Sequence, residues 1–287
     1  MRVTSGLLDT FAASDEPEVR RSGGLRVRGL RVAYGGNVAV DGASFNAPIG
    51  RITGLIGPNG GGKTTTFNAC NGLVPAARGR IDLFGTDVTR RGVAARARLG
   101  LGRTFQQVQV CAGMTVAENV ALGAEIAMVG RNPFRQFMAT TSQRREAAER
   151  TRIALQTCGI EDIGERPAGV ISTGQRRLLE LARVLAGDFA LLLLDEPSSG
   201  LDESETDQFG QILSGIVADG TRGALLIEHD MALVMAVCDY IYVLDFGTMI
   251  FEGTPEEVRA SEAVRKAYLG EEPVDASAVV ADEAGES

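Results

Sequence analysis

The sequence predicts an α/β fold organised on a parallel sheet. Ile52–Ile56, Ala190–Leu194 and Ala224–Ile227 are short apolar runs of the kind found in strands buried on both faces. Each is followed by a turn and then a helical pattern, as in strand–turn–helix repeats. The first run leads straight into a glycine-rich turn, where an open α/β sheet presents its strand ends to ligands.

The remaining elements follow in chain order. Residues 1–23 are polar and mixed in charge and read as a flexible leader. From Leu25 to Val32 apolar and polar residues alternate, as they do in a half-buried antiparallel strand. Ala43–Ala47 and Gly79–Phe84 are further strand candidates, so an antiparallel β subdomain is expected at the N-terminus. Met114–Val170 reads as helices with no strong strand, with Gln143–Cys158 the clearest, and predicts a helical subdomain of about 114–178 inserted in the core. Gly130-Arg131-Asn132-Pro133 is expected to break it into a hairpin-like excursion. Residues 271–287 read as an acidic, disordered tail beyond a folded domain spanning 24–270.

Composition excludes several classes of function. The formal net charge is −8; six acids and no Lys or Arg lie in residues 271–287, which leaves a nearly neutral body at −2. Bulk attraction to nucleic acid is therefore a poor account of the protein. Four scattered cysteines without a CxxC pair, together with a single histidine, make a structural zinc site implausible. The longest apolar run, near Phe189–Leu194, is far too short to span a bilayer. The N-terminal stretch carries Asp9, Asp15, Glu16 and Glu18 and no apolar core, unlike a signal peptide. A cytoplasmic protein that meets the membrane through a partner is expected.

Gly57-Pro58-Asn59-Gly60-Gly61-Gly62-Lys63-Thr64 has the form G-x-x-x-x-G-K-[ST], between a strand and a helix. Triphosphate oxygens need many close donors. Glycines let successive backbone N–H groups curl inward, and the following helix adds its positive end. A lysine at this spacing supplies a mobile cation, here Lys63, and a threonine supplies a hydroxyl for Mg²⁺, here Thr64.

Two further segments are ambiguous alone. Leu191–Leu194 runs into Asp195-Glu196-Pro197. A carboxylate at a strand end beside a phosphate loop suits Mg²⁺, and the next one suits a general base for water. An exposed acidic turn after a core strand explains the same residues. Ser172-Thr173-Gly174-Gln175 has capping-box spacing, and Leu178, Leu179, Ala182 and Leu185 continue it as an apolar stripe. It reads as a plain capped helix or as an anion site. Gln175 stands 20 residues before Asp195.

Taken together these segments resemble the ATP-binding subunit of ABC transporters, over about residues 25–270 and in that family's order. Gly57–Thr65 is similar to its Walker A loop, with Thr65 included, and Ser172–Gln175 to its signature loop. Leu191–Glu196 resembles Walker B, Ser199-Gly200-Leu201-Asp202 the D-loop, Gln106 the Q-loop and His229 the switch histidine. Tyr34 stands where the family places an aromatic ring against adenine. Gly54–Gly60, Arg103–Gln106, Leu225–Met231 and Ala267–Gly270 resemble one branch, that of branched-chain amino-acid importers. Urea importers and lipopolysaccharide-export ATPases are near relatives of that branch. A soluble ABC-type ATPase of another kind is a further alternative.

The resemblance implies a P-loop NTPase (RecA-like) core and an ATPase with ATP and Mg²⁺ as cofactors. Asp195, Thr64 and Gln106 would serve the metal. Glu196 would act as base, and His229, Gln106 and Lys63 would assist. Gly57, Pro58, Asn59, Gly60, Gly61, Gly62, Lys63, Thr64, Thr65 and Tyr34 would bind the nucleotide. Ser172, Gly174 and Gln175 would close over the ATP held by a second ATP-binding subunit, identical or paralogous. Transmembrane permease subunits and an external solute-binding protein are the implied partners, with the protein peripheral on the inner face of the membrane. Two positions depart from the family pattern. Gly61 stands where Ala is usual, a mild change because that position needs only a small side chain, and Thr173 replaces the second signature residue.

Overall fold

The computed structural model describes residues 23–104, 110–129 and 141–269. The expected leader, the Gly130–Pro133 break, Gln106 and the acidic tail lie outside the described residues, apart from Gly23 at the leader's end.

The fold opens with β1 (Gly24–Tyr34) and β2 (Asn37–Pro48), an antiparallel pair. β1 also pairs antiparallel with β4 (Arg78–Leu83), and β5 (Thr86–Asp87) closes a four-stranded sheet in the order β2-β1-β4-β5. Alternation along β1 puts Leu25, Val27, Leu30 and Val32 into a core shared with Phe45, Phe67 and Leu83. This is the antiparallel N-terminal sheet that the period-two pattern predicts.

The second sheet is the parallel one. It contains β3 (Ile52–Ile56), β6 (Leu101–Arg103), β7 (Leu191–Asp195), β8 (Gly223–Ile227), β9 (Tyr240–Asp245) and β10 (Thr248–Gly253), in the order β10-β9-β3-β8-β7-β6. β9, β3, β8, β7 and β6 run parallel, and β10 returns antiparallel at one edge. Every residue of β3, β7 and β8 is buried. Leu191 to Leu194 alternate between the two cores, Leu192 and Leu194 facing one and Leu191 and Leu193 the other. Each fully buried leucine contributes about 1.5–3 kcal/mol relative to exposure.

α1 (Lys63–Asn71) follows β3, and α2 (Val93–Arg98) precedes β6. Arg96 on α2 is among the most buried side chains, and its guanidinium donates to the carbonyls of Ala69 and Cys70 at 2.7 and 2.6 Å. It thereby adds a charged donor to carbonyls at the C-terminal end of α1, where Ala69 C=O also accepts from Gly72 N–H, and complements that end's partial negative charge.

α3 (Val116–Val129), α4 (Thr141–Thr157) and α5 (Thr173–Ala186) pack on one another, burying Val120 and Ala124, Ala154 and Leu155, and Leu179 and Ala182. The segment closes at its base through backbone hydrogen bonds. Val116 N–H donates to Arg166 C=O, Ala168 N–H to Met114 C=O and Gly169 N–H to Ala112 C=O. Among the described residues its only strand-like feature is one bridge between Thr115 and Pro167. The remaining helices are α6 (Glu203–Val217), α7 (Met231–Val237), α8 (Pro255–Ala260) and α9 (Glu262–Leu269).

Candidate active site

Four neighbouring strands end at one edge of the parallel sheet, and each delivers a residue singled out in the sequence or its neighbour. β3 ends at the Gly57–Lys63 loop, β8 at Glu228 and His229, β7 at Asp195 and Glu196, and β6 at Arg103 and Thr104. The register aligns them: Leu55 pairs with Ile227, and Ile227 with Asp195. The phosphate-loop strand, the histidine strand and the two acids are thus brought to one level by backbone pairing.

The loop itself is held by backbone. Gly57 has φ 146°, and a Cβ there would collide with the carbonyl oxygen of Leu244. Gly62, with φ 99°, is the N-cap of α1 and has no side chain to cap it. The first N–H groups of α1 therefore face a glycine cradle, the arrangement that binds anions. Lys63 folds back over the loop, its Nζ donating to the carbonyls of Gly57 and Pro58 at 2.6 and 2.8 Å. Asn59, Gly60 and Thr64 are exposed, and Thr65 is half-buried. Gly61 is tighter than the sequence suggests. A Cβ there would stand 2.8 Å from Leu244 O and 2.9 Å from Pro58 O, so even alanine requires the loop to shift. Gly61 C=O also accepts from Gly247 N–H at 2.9 Å.

Asp195 is 1% exposed. Its Oδ2 accepts from Arg103 Nη2 at 3.2 Å, while among the described residues Oδ1 has no hydrogen-bond partner. Burial raises the Asp195 carboxyl above the ordinary carboxylate range, against the pull of Arg103, and burial lowers the Arg103 guanidinium. An orphaned, buried carboxylate oxygen beside a phosphate cradle is a donor suited to a hydrated divalent cation.

Glu196 takes φ 47°, a left-handed conformation that costs a non-glycine residue of order 1 kcal/mol. Its N–H is tied to Ile227 C=O at 2.9 Å, and its C=O accepts from Ser199 N–H. The strand thus breaks at Glu196, and backbone hydrogen bonds fix that break.

His229 is an exposed residue at the end of β8, and Glu228 before it is fully buried. Glu228 Oε1 accepts from Ser198 N–H at 2.8 Å, and Oε2 from His229 N–H at 3.2 Å. Burial raises the Glu228 carboxyl, and these amide donors offset part of the rise. The sequence motifs assign Glu228 no role. A signal is nonetheless present: an acid after an apolar strand, as at Asp195.

Ser172 and Gln175 form the expected capping box. Gln175 N–H donates to Ser172 Oγ at 3.2 Å, and Ser172 N–H donates to Gln175 Oε1 at 3.1 Å. This cap abuts α6 of the same protomer. A Cβ on Gly174 would overlap the Glu205 carboxylate, and Arg177 Nη2 donates to Ser199 C=O at 3.2 Å. The capped end of α5 is therefore joined to the Ser199–Asp202 turn within one protomer. Tyr34 closes β1 as an exposed aromatic residue. An apolar cavity of about 750 Å³ lined by Met231, Met235, Val258 and Tyr268 lies between α7, α8 and α9, and none of its lining residues belongs to the strand ends above.

Residues 40–199 match the ABC transporter family, and residues 248–274 match a C-terminal family described as branched-chain amino acid ATP-binding cassette transporter. The protein belongs to the ABC transporter ATP-binding family and is an ATP-binding, ATP-hydrolysing subunit of that class. Among its relatives is the high-affinity branched-chain amino acid transport ATP-binding protein BraF of Pseudomonas aeruginosa. It is 37% identical over 250 residues, which is 86% of this protein and 98% of BraF. LivG of Escherichia coli K12, whose name carries the same description, is 38% identical over 252 residues, again 86% and 98%. The crystal structure of the ADP conformation of MJ1267, an ATP-binding cassette of an ABC transporter, superposes with a TM-score of 0.75 at 28% identity, covering 86% of this protein and 98% of that one.

Proposed function

We propose that this protein hydrolyses MgATP to power the import of branched-chain amino acids, or a similar small polar solute, through transmembrane permease subunits. The match of residues 248–274 to the C-terminal family of branched-chain amino acid cassettes carries the substrate class. The relatives BraF and LivG support it over 86% of the sequence.

In this reading the Gly57–Thr65 loop and Lys63 bind the triphosphate, and Tyr34 stacks on the adenine. Thr64, Asp195 and Gln106 hold Mg²⁺, which supplies charge neutralisation for the transferred phosphoryl group. Glu196 accepts a proton from the attacking water, and the backbone tie to Ile227 fixes where its carboxylate starts. His229, exposed beside it, orients that water against the phosphate. Ser172, Gly174 and Gln175 of a second ATP-binding subunit, a copy or a paralogue, close over the nucleotide. The link from Arg177 to Ser199 C=O supports coupling of that closure to the Walker B end of the same protomer. The complex sits on the inner face of the membrane, with a solute-binding protein on the other side.

The decisive experiment is reconstitution with the membrane subunits that co-purify with the protein. Mg²⁺-dependent ATPase stimulated by leucine, isoleucine or valine, presented with the cognate solute-binding protein, is the expected result. Stimulation by urea instead, or co-purification with a lipopolysaccharide-export apparatus, would overturn the substrate assignment and leave the ATPase intact.

A further inference from the structure

Asp195 is a carboxylate withdrawn almost completely from water. Such a group needs a cation close by at all times, because an uncompensated buried charge is strongly unfavourable. Among the described residues the cation paired with it is Arg103, itself only 11% exposed. Its guanidinium is held on every side. Nη1 donates to Asn68 Oδ1 at 2.8 Å, Nη2 to Asp195 Oδ2 at 3.2 Å, and Nε to Thr104 C=O at 3.3 Å. The ring of Phe67 lies 4.7 Å from the guanidinium carbon, within cation–π range. Asn68 and Phe67 both belong to α1, the helix that starts at the phosphate loop. Arg103 therefore spans from that helix to the carboxylate at the end of β7, and it occupies one of the two carboxylate oxygens.

We infer that Arg103 is a positioning residue that acts as the counter-ion of Asp195 before the metal binds, so that Arg103 and Mg²⁺ compete electrostatically for one carboxylate. The inference rests on reading Asp195 as a metal-side carboxylate. Arg103 holds Oδ2 and leaves Oδ1 for the cation's hydration shell. When the cation arrives, a second positive charge enters the same field. The Arg103–Asp195 bond weakens, and Asn68 and Phe67 keep the guanidinium from being stranded. Because coupling between two ligands of one group is reciprocal, removing Arg103 must strengthen the hold on the metal as surely as the metal loosens Arg103. The arrangement keeps the empty site folded and makes Mg²⁺ binding readily reversible.

The test uses the full-length protein bearing Glu196→Gln to suppress hydrolysis, with saturating ATP, and reads melting temperature as Mg²⁺ is titrated from an EDTA-treated start. Arg103→Met is expected to lower the melting temperature in EDTA and to widen the gain produced by Mg²⁺. The Mg²⁺ concentration for half of that gain should fall by about tenfold. A structural role alone would lower both melting temperatures in parallel and leave the Mg²⁺ midpoint unchanged, which overturns the inference; so does a midpoint that rises. Should Arg103→Met fail to fold, Asn68→Ala decides. It keeps both charges and removes an anchor that holds the guanidinium once its bond to Asp195 weakens, so a rise in the Mg²⁺ midpoint supports competition and an unchanged or lower midpoint refutes it. A parent protein stabilised by ATP but indifferent to Mg²⁺ would sink the metal-side reading of Asp195, and this inference with it.

Discussion

Glu228, at the end of β8, accepts a hydrogen bond from the backbone N–H of Ser198, in the turn that follows β7, at 2.8 Å. The bond ties the histidine-bearing strand to the segment that holds Glu196. Replacing Glu228 by Gln turns an acceptor-only group into one whose NH₂ faces backbone donors, and should cost about 1–3 kcal/mol. The pH dependence has a definite sign. Burial raises the Glu228 carboxyl above its ordinary value of 4.5, so the folded state holds this proton more tightly than the unfolded state does. Its contribution to stability is complete below the unfolded value and is lost as pH rises through the folded one. The melting temperature of Glu228→Gln minus that of the parent should therefore increase from about pH 4.5 towards neutrality. A flat difference would contradict the assignment.

Glu196→Gln and Lys63→Ala should separate chemistry from binding. The first preserves the shape and backbone ties of Glu196 and removes the carboxylate proposed as base. Steady-state ATPase should fall by about 10²–10⁴-fold with nucleotide affinity kept. The second removes the ammonium that folds over the loop, and titration with a fluorescent ATP analogue should show binding lost. Full turnover in the first variant, or unchanged affinity in the second, would refute the corresponding role.

Tyr34 is 53% exposed, so Tyr34→Ala should leave stability within about 0.5 kcal/mol of the parent. If its ring stacks on adenine, a contact worth roughly 1–3 kcal/mol in nucleic-acid cases is lost, and KM for ATP should rise by roughly tenfold with kcat little changed. An unchanged KM removes Tyr34 from the nucleotide site.

The thiols offer a check on packing. Burial pushes Cys70 and Cys238 up to about 12 and raises Cys158 as well, whereas Cys111 is exposed. Thiolates are the reactive form. A maleimide at neutral pH should label one cysteine per folded molecule, at Cys111, and all four after denaturation. Rapid labelling of Cys70 would mean that the packing behind the phosphate-loop helix opens readily.

The strands β3, β7 and β8 are legible in the sequence because their Leu- and Ile-rich runs are long and bounded by turns. The Ser172–Gln175 cap is legible because a capping box depends only on local spacing. β6 is not: Leu101-Gly102-Arg103 is three residues long with a glycine at its centre, and its strand character comes from pairing with β7. β9 is rich in aromatic and branched residues, yet it leads into a hairpin with β10 rather than a helix, so a search for strand–turn–helix repeats passes over it. At the site, the residue types at Lys63, Asp195, Glu196 and His229 can be read from motifs, but the Arg103–Asp195 pair cannot. It joins residues 92 positions apart, and only the adjacency of β6 and β7 brings them together.

The tie between Gly61 C=O and Gly247 N–H continues through Gly247 C=O, which accepts from Asp41 N–H at 2.7 Å. Three segments distant in sequence therefore shape the Gly57–Lys63 loop through peptide groups alone. The exposed side chains at Asp41 and Phe246 can drift over evolutionary time without reshaping it, whereas Leu244 is held by the core. A glycine lost at 57, 61 or 247 has no such latitude, because a Cβ at each would press on backbone, and diversity in this protein should accumulate around the loop rather than within it.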